Sequence, residues 1–158
     1  METRQLSTIA ERSGGWTHYF KITNADLTAG ATTQTLQLIG TAQNGLAAGD
    51  IVRSVAFYLA TPFSGGSATN LTMQLGWDYA TGTDAPAGLL AAVELLAASR
   101  VVAGDGTGSA FATLRTGFAA VEGADIEALF TSTGANLSTI TAGEVRVFLQ
   151  INKLSSIT

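Results

Sequence analysis

The segment "EVRVFLQINKL" near the end of the chain changes residue type with a period of two. Val145, Val147, Leu149 and Ile151 fall on one side, and Glu144, Arg146, Phe148, Gln150 and Asn152 on the other. Successive side chains of a strand point to opposite faces, so the pattern describes a sheet with one dry and one wet side. A helix would need its apolar residues three and four apart. The same alternation recurs along the chain. In "WTHYFKIT", Trp16, His18, Phe20 and Ile22 oppose Thr17, Tyr19, Lys21 and Thr23. In "IVRSVAFYLAT", Val55, Phe57 and Leu59 oppose Ser54, Ala56, Tyr58 and Ala60. In "NLTMQLGWD", Leu71, Met73, Leu75 and Trp77 oppose Thr72, Gln74, Gly76 and Asp78, which assigns Trp77 to a core. "QTLQLIG", "FATLRTGF" and "DIEALFTST" read as further short strands.

Turn residues punctuate these segments. "NADLTAGATT", "YATGTDAPAG" and "AGDGTGSA" read as loops, which places Tyr79 in a loop. Pro62 is expected to end the strand before it, because proline has no N–H to give to a ladder. "LLAAVELLAASRVV" reads as a short helical segment leading into a strand near Val101: Leu89, Val93 and Leu96 share a helical face, with a buried strand as the alternative. Residues 1–15 lack a period and end in Gly14-Gly15, so they read as an N-terminal arm, mobile or laid on a neighbour, and 16–158 as a single domain. About eight short alternating strands divided by turn signals predict an all-β, antiparallel, jelly-roll-like β-sandwich.

Charge narrows the function. Only 13% of the 158 residues are charged and 46% are hydrophobic, which predicts a neutral or apolar surface that partners cover. The net charge is −4 and the eight basic residues are scattered from Arg4 to Lys153, so no cluster is offered to nucleic-acid phosphates. The absence of cysteine excludes disulfides, a thiol nucleophile and cysteine-ligated zinc. "METRQLSTIAERSGG" has no apolar stretch of the secretory kind, and the apolar run Leu89 to Ala98 is broken by Glu94 and far short of the roughly 20 residues that cross a bilayer. No membrane partner is expected.

A search for chemistry finds little. His18, the one histidine, shares a face with Trp16, Phe20 and Ile22, and is expected to be a hydrogen-bonded, half-buried side chain. No G-x-S-x-G elbow is present to supply an activated serine. Asp84 and Asp105 lack the spacing of a calcium loop. Asp125 and Glu127 lie two apart on one strand face, a pairing that glycoside hydrolysis could use, but a wet strand side accounts for it. No catalytic residue, cofactor or metal is expected. Four residues stand out as candidate partner contacts: Arg4 and Arg12 in the arm, Tyr79, and Phe148 on the polar side of its strand, where a second sheet, the helix-like segment or another subunit is expected to cover it.

Three stretches carry a resemblance: "FKITNADLTAG" with "TTQTLQLIG", then "VAFYLATPFSGGSATNLTMQLGWD", then "ITAGEVRVFLQI". Their order resembles that of small proteins encoded among the structural genes of tailed bacteriophages, over roughly Trp16 to Leu154. The resemblance implies a capsid decoration, or cement, protein. Such a protein is a jelly-roll-like sandwich, made in the host cytoplasm, that binds the major capsid protein on the outside of an icosahedral head. It also implies a homo-oligomer, with a trimer favoured. The alternative is a tail or head-fibre domain that binds a host glycan or receptor, with Tyr79 and the glycine loops as its contacts.

Overall fold

The computed structural model describes residues 1–5, 15–40, 46–47, 50–79, 83–97, 100–102, 118–119 and 124–153. Their strands are β1 (Glu2–Gln5), β2 (His18–Thr23), β3 (Thr33–Ile39), β4 (Ile51–Gly65), β5 (Asn70–Tyr79), β6 (Ala85–Glu94), β7 (Arg100–Val102), β8 (Phe118–Ala119), β9 (Ala124–Thr133) and β10 (Ile140–Asn152). One sheet has six strands in the order β1-β2-β10-β4-β7, with β8 also on β4; the other has four in the order β3-β9-β5-β6. All of these pairings are antiparallel.

The dry faces foreseen from the alternation meet. Phe20, Ile22, Leu59, Val145 and Val147 of the first sheet join Leu71, Met73, Leu75, Ile126 and Phe130 of the second in one buried cluster. Phe63 and Phe130 connect the layers with ring centroids 6.4 Å apart. Each such large side chain contributes roughly 1.5–3 kcal/mol on burial. Trp77, 4% exposed, belongs to this core as expected. The protein is an all-β sandwich.

The helical expectation for "LLAAVELLAASRVV" is overturned. Its first part lies in β6, and among the described residues the only helices are single 3-10 turns at Asn24–Asp26 and Leu137–Thr139. From Met73↔Val93 to Leu75↔Leu90 the chain advances two residues on β5 and three on β6, and five on β6 to the next pair, Trp77↔Ala85. Such bulges break the period of two and bury the adjacent Leu89 and Leu90 together, which imitates a helical face in the sequence.

Pro62 does not end its strand either. β4 continues to Gly65, and Pro62 falls inside a register shift against β10, between Thr61↔Glu144 and Ser64↔Ala142. Proline is tolerated at such a bulge because no ladder bond asks for its N–H. The next N–H, of Phe63, donates to the Leu95 carbonyl at 3.0 Å, just beyond β6 in the opposite sheet. Gly143 sits over the Phe63 ring with a φ of +141°, and a β-carbon there would lie 2.3 Å from the ring.

The arm is partly a strand. β1 extends the first sheet by pairing with β2, from Glu2↔Lys21 to Gln5↔His18. This places the Met1 ammonium on the Asp26 carboxylate. Asp26 also accepts hydrogen bonds from the Thr23 N–H at 2.8 Å and the Thr23 hydroxyl at 3.0 Å, closing the 3-10 turn after β2.

Candidate functional site

The outer face of the six-stranded sheet carries an aromatic surface built by register. Phe148 of β10 lies between Tyr19 of β2 and Ala56 of β4. One step along, Arg146 lies between Lys21 and Tyr58. The Phe148 ring is 5.3 Å from Tyr19 and 6.0 Å from Trp16, centroid to centroid. The Arg146 guanidinium stands 5.7 Å over the Tyr58 ring, within cation–π range. Its Nε donates to Glu144 at 2.6 Å, and the Lys21 ammonium is 3.4 Å from the other Glu144 oxygen. Burial alone would raise the Glu144 pKa; bonding to Arg146 and Lys21 outweighs it and holds the carboxyl below its ordinary value.

This surface narrows the expectation for Phe148, since neither the second sheet nor the helix-like segment covers it. Its ring is half-buried against Trp16 and Tyr19 of its own chain, on the outside of the sandwich. The helix-like segment expected to cover it is β6, in the other sheet. Tyr, Trp and Arg together are the residue types enriched at the energetic centres of protein interfaces. Tyr58 and Arg146 were not singled out in the sequence. Their meeting depends on β4 pairing with β10 across many intervening residues, though both stood on the polar parity of their strands.

The outer face of the four-stranded sheet is acidic. Asp125 and Glu127 share a face, as their spacing predicts, and β5 sets Asp78 opposite Asp125 and Gly76 opposite Glu127. Asp84 joins them by accepting from the Tyr79 N–H at 3.3 Å. Gln37 of β3 donates to Asp125 Oδ2, while the buried Oδ1 has no hydrogen-bond partner. Burial first, then the charge of Asp78, raises the Glu127 pKa; burial, then Asp84, raises that of Asp78. The carboxyls therefore repel one another, and their environment is less wet than the sequence suggested. Among the described residues, no three of His, Asp and Glu are grouped to hold a metal ion.

The remaining candidates are placed as follows. Tyr79 is the last residue of β5 and not in a loop; it pairs with Ala124, and its half-buried ring stacks on Trp77 at 6.3 Å. Arg4 stands in β1 opposite Tyr19. Arg12 and Asp105 lie outside the described residues. His18 is half-buried, with Nδ1 2.8 Å from the Thr17 hydroxyl, as expected. Burial, then the nearby Lys153, lowers its pKa and favours the neutral ring. No protein-family model, curated protein or solved structure matches the chain.

Proposed function

We propose that the chain is a non-enzymatic structural protein of a bacteriophage virion, a decoration protein that binds the major capsid protein on the outer surface of an icosahedral head and stabilises it. The wrapping of β2, β4, β7 and β10 against β3, β5, β6 and β9 is read as a jelly roll. The observation that carries the reading is a sandwich whose two outer faces, among the described residues, both suit contacts with other subunits: the aromatic surface of Trp16, Tyr19, Tyr58 and Phe148 around Arg146, and a row of carboxyls on the other sheet. A rigid sandwich with anchoring aromatics and little charge suits a part that is attached in many copies, where multivalency raises avidity without new contacts. Homo-oligomeric assembly, as a trimer, follows from the same reading, and Arg4 and Arg12 are assigned to an acidic patch of the capsid.

The test is binding of the purified protein to heads that lack it, followed by cosedimentation and cryo-imaging. Added density on the outer head surface is expected, together with weaker binding after removal of residues 1–14. No binding to heads, with density at a tail or fibre or glycan binding in its place, would refute the reading.

A further inference from the structure

The basic residues look scattered in the sequence, but the fold sorts them. Arg4, Lys21, Arg53, Arg100 and Arg146 all stand in strands of the six-stranded sheet, and Lys153 follows β10 directly. The other two, Arg12 and Arg115, lie outside the described residues. The strands of the four-stranded sheet contain no lysine or arginine, yet hold Asp78, Glu94, Asp125 and Glu127, with Asp84 just before β6. In the six-stranded sheet the only strand acids are Glu2 and Glu144. One layer of the sandwich is therefore basic and aromatic, the other acidic.

We propose that the outer face of the six-stranded sheet, centred on Phe148, Tyr19 and Arg146, docks against the acidic outer face of the four-stranded sheet in a second copy of this chain. The occupant follows from charge. The acidic row of Asp78, Asp125 and Glu127 crowds like charges that a facing Lys21 and Arg146 would neutralise. Two identical acidic faces, or two identical basic ones, would repel. The aromatic rings supply the apolar centre that a charged rim alone lacks. Because the two surfaces differ, the contact is heterologous, and such contacts close into rings when the rotation permits, a trimer among them. The inference rests on the homo-oligomer in the proposed function and names its surfaces.

Two double variants test it: Lys21→Glu with Arg146→Glu on one face, and Asp125→Lys with Glu127→Lys on the other. Sedimentation at low salt is expected to show wild-type self-association that weakens as salt screens the faces, the screening length being about 10 Å at 0.1 M. Each variant alone is expected to weaken it at least tenfold. An equal mixture of the two is expected to associate again, in alternating species of even copy number, because only unlike neighbours then meet with opposite charge. Circular dichroism checks folding. If a reversed variant does not fold, Glu127→Gln and Lys21→Gln replace them, each expected to weaken association in the same direction by a smaller factor. A wild type that stays monomeric, a folded variant that associates normally, or a mixture no better than its parts would overturn the inference. Variants that assemble normally but fail to bind heads would also overturn it while leaving head binding as the function. Loss of self-association in each variant alone and recovery in the mixture support it whether or not heads are bound.

Discussion

Replacing Gly143 with alanine should be among the most damaging small changes in this protein. Gly143 is buried in β10 with a φ of +141°, a conformation that side-chain-bearing residues rarely adopt. Holding a non-glycine residue in such a region costs about 1–3 kcal/mol. The new methyl group would also meet the Phe63 ring 2.3 Å away, closer than carbon atoms approach. Phe63 cannot swing aside freely, since it is 1% exposed, packed on Phe130, and tied through its N–H to Leu95. Overpacking of that kind costs about another 1–3 kcal/mol. The sum, about 2–6 kcal/mol, is a large part of a typical stability of 5–15 kcal/mol. For a chain of this size it corresponds to a Tm lower by about 4–24 °C. Thermal and urea melts of Gly143→Ala, Phe63→Leu and the double variant would measure it. If the ring contact is the cause, leucine at position 63 should recover about 1 kcal/mol or more of the Gly143→Ala loss, a coupling typical of touching residues. A Tm within a degree or two of wild type would refute the strain argument. Strictly additive losses would refute the contact with Phe63.

Two predictions concern pH. Glu127 has a folded pKa above its ordinary value, so the native state binds its proton more tightly; the stability it confers is present at low pH and is lost as pH rises from the ordinary carboxyl range through the folded value. Glu127→Gln should therefore raise Tm at neutral pH, with the gain vanishing toward about pH 4, as melts across that range would show. Asp26 behaves oppositely: bonding to the Met1 ammonium and Thr23 outweighs burial and lowers its pKa, so its contribution is present above the ordinary value and lost as pH falls through the depressed one. Asp26→Asn should cost about 0.5–2 kcal/mol at neutral pH, as loss of a cap does, and little below the depressed pKa, which denaturant titration at the two extremes can check.

What could be read from the residues and what could not divides along a physical line. The period of two in residues 18–23, 54–60, 71–78 and 144–152 reports which side chains face water, and burial alone enforces it, so the all-β sandwich, the core position of Trp77 and the shared face of Asp125 and Glu127 were legible. Trp16, ahead of β2, departs from it: its parity predicted the dry side, but it packs half-buried on Phe148 of the outer face. Bulges add or skip a residue without any mark in composition, so β6 resembled a helix and Pro62 resembled a strand end. Nor can polar residues of an N-terminal segment announce that an open strand edge awaits them, as β2 awaits Glu2 to Gln5.

Pairing between distant strands decided the rest. Arg146 meets Tyr58, and Asp78 meets Asp125, only because β4 and β10, or β5 and β9, are neighbours in space. The same pairing explains why charges that look evenly spread along the chain end in separate layers. Most connections carry the chain from one sheet to the other, so residues close in sequence are parted and residues far apart are gathered. Alternation within a strand settled which of its sides is dry wherever no bulge intervened. The tertiary structure decided which strands share a sheet, and with that which wet residues form one surface, because hydrogen bonding between strands takes its partners from anywhere along the chain.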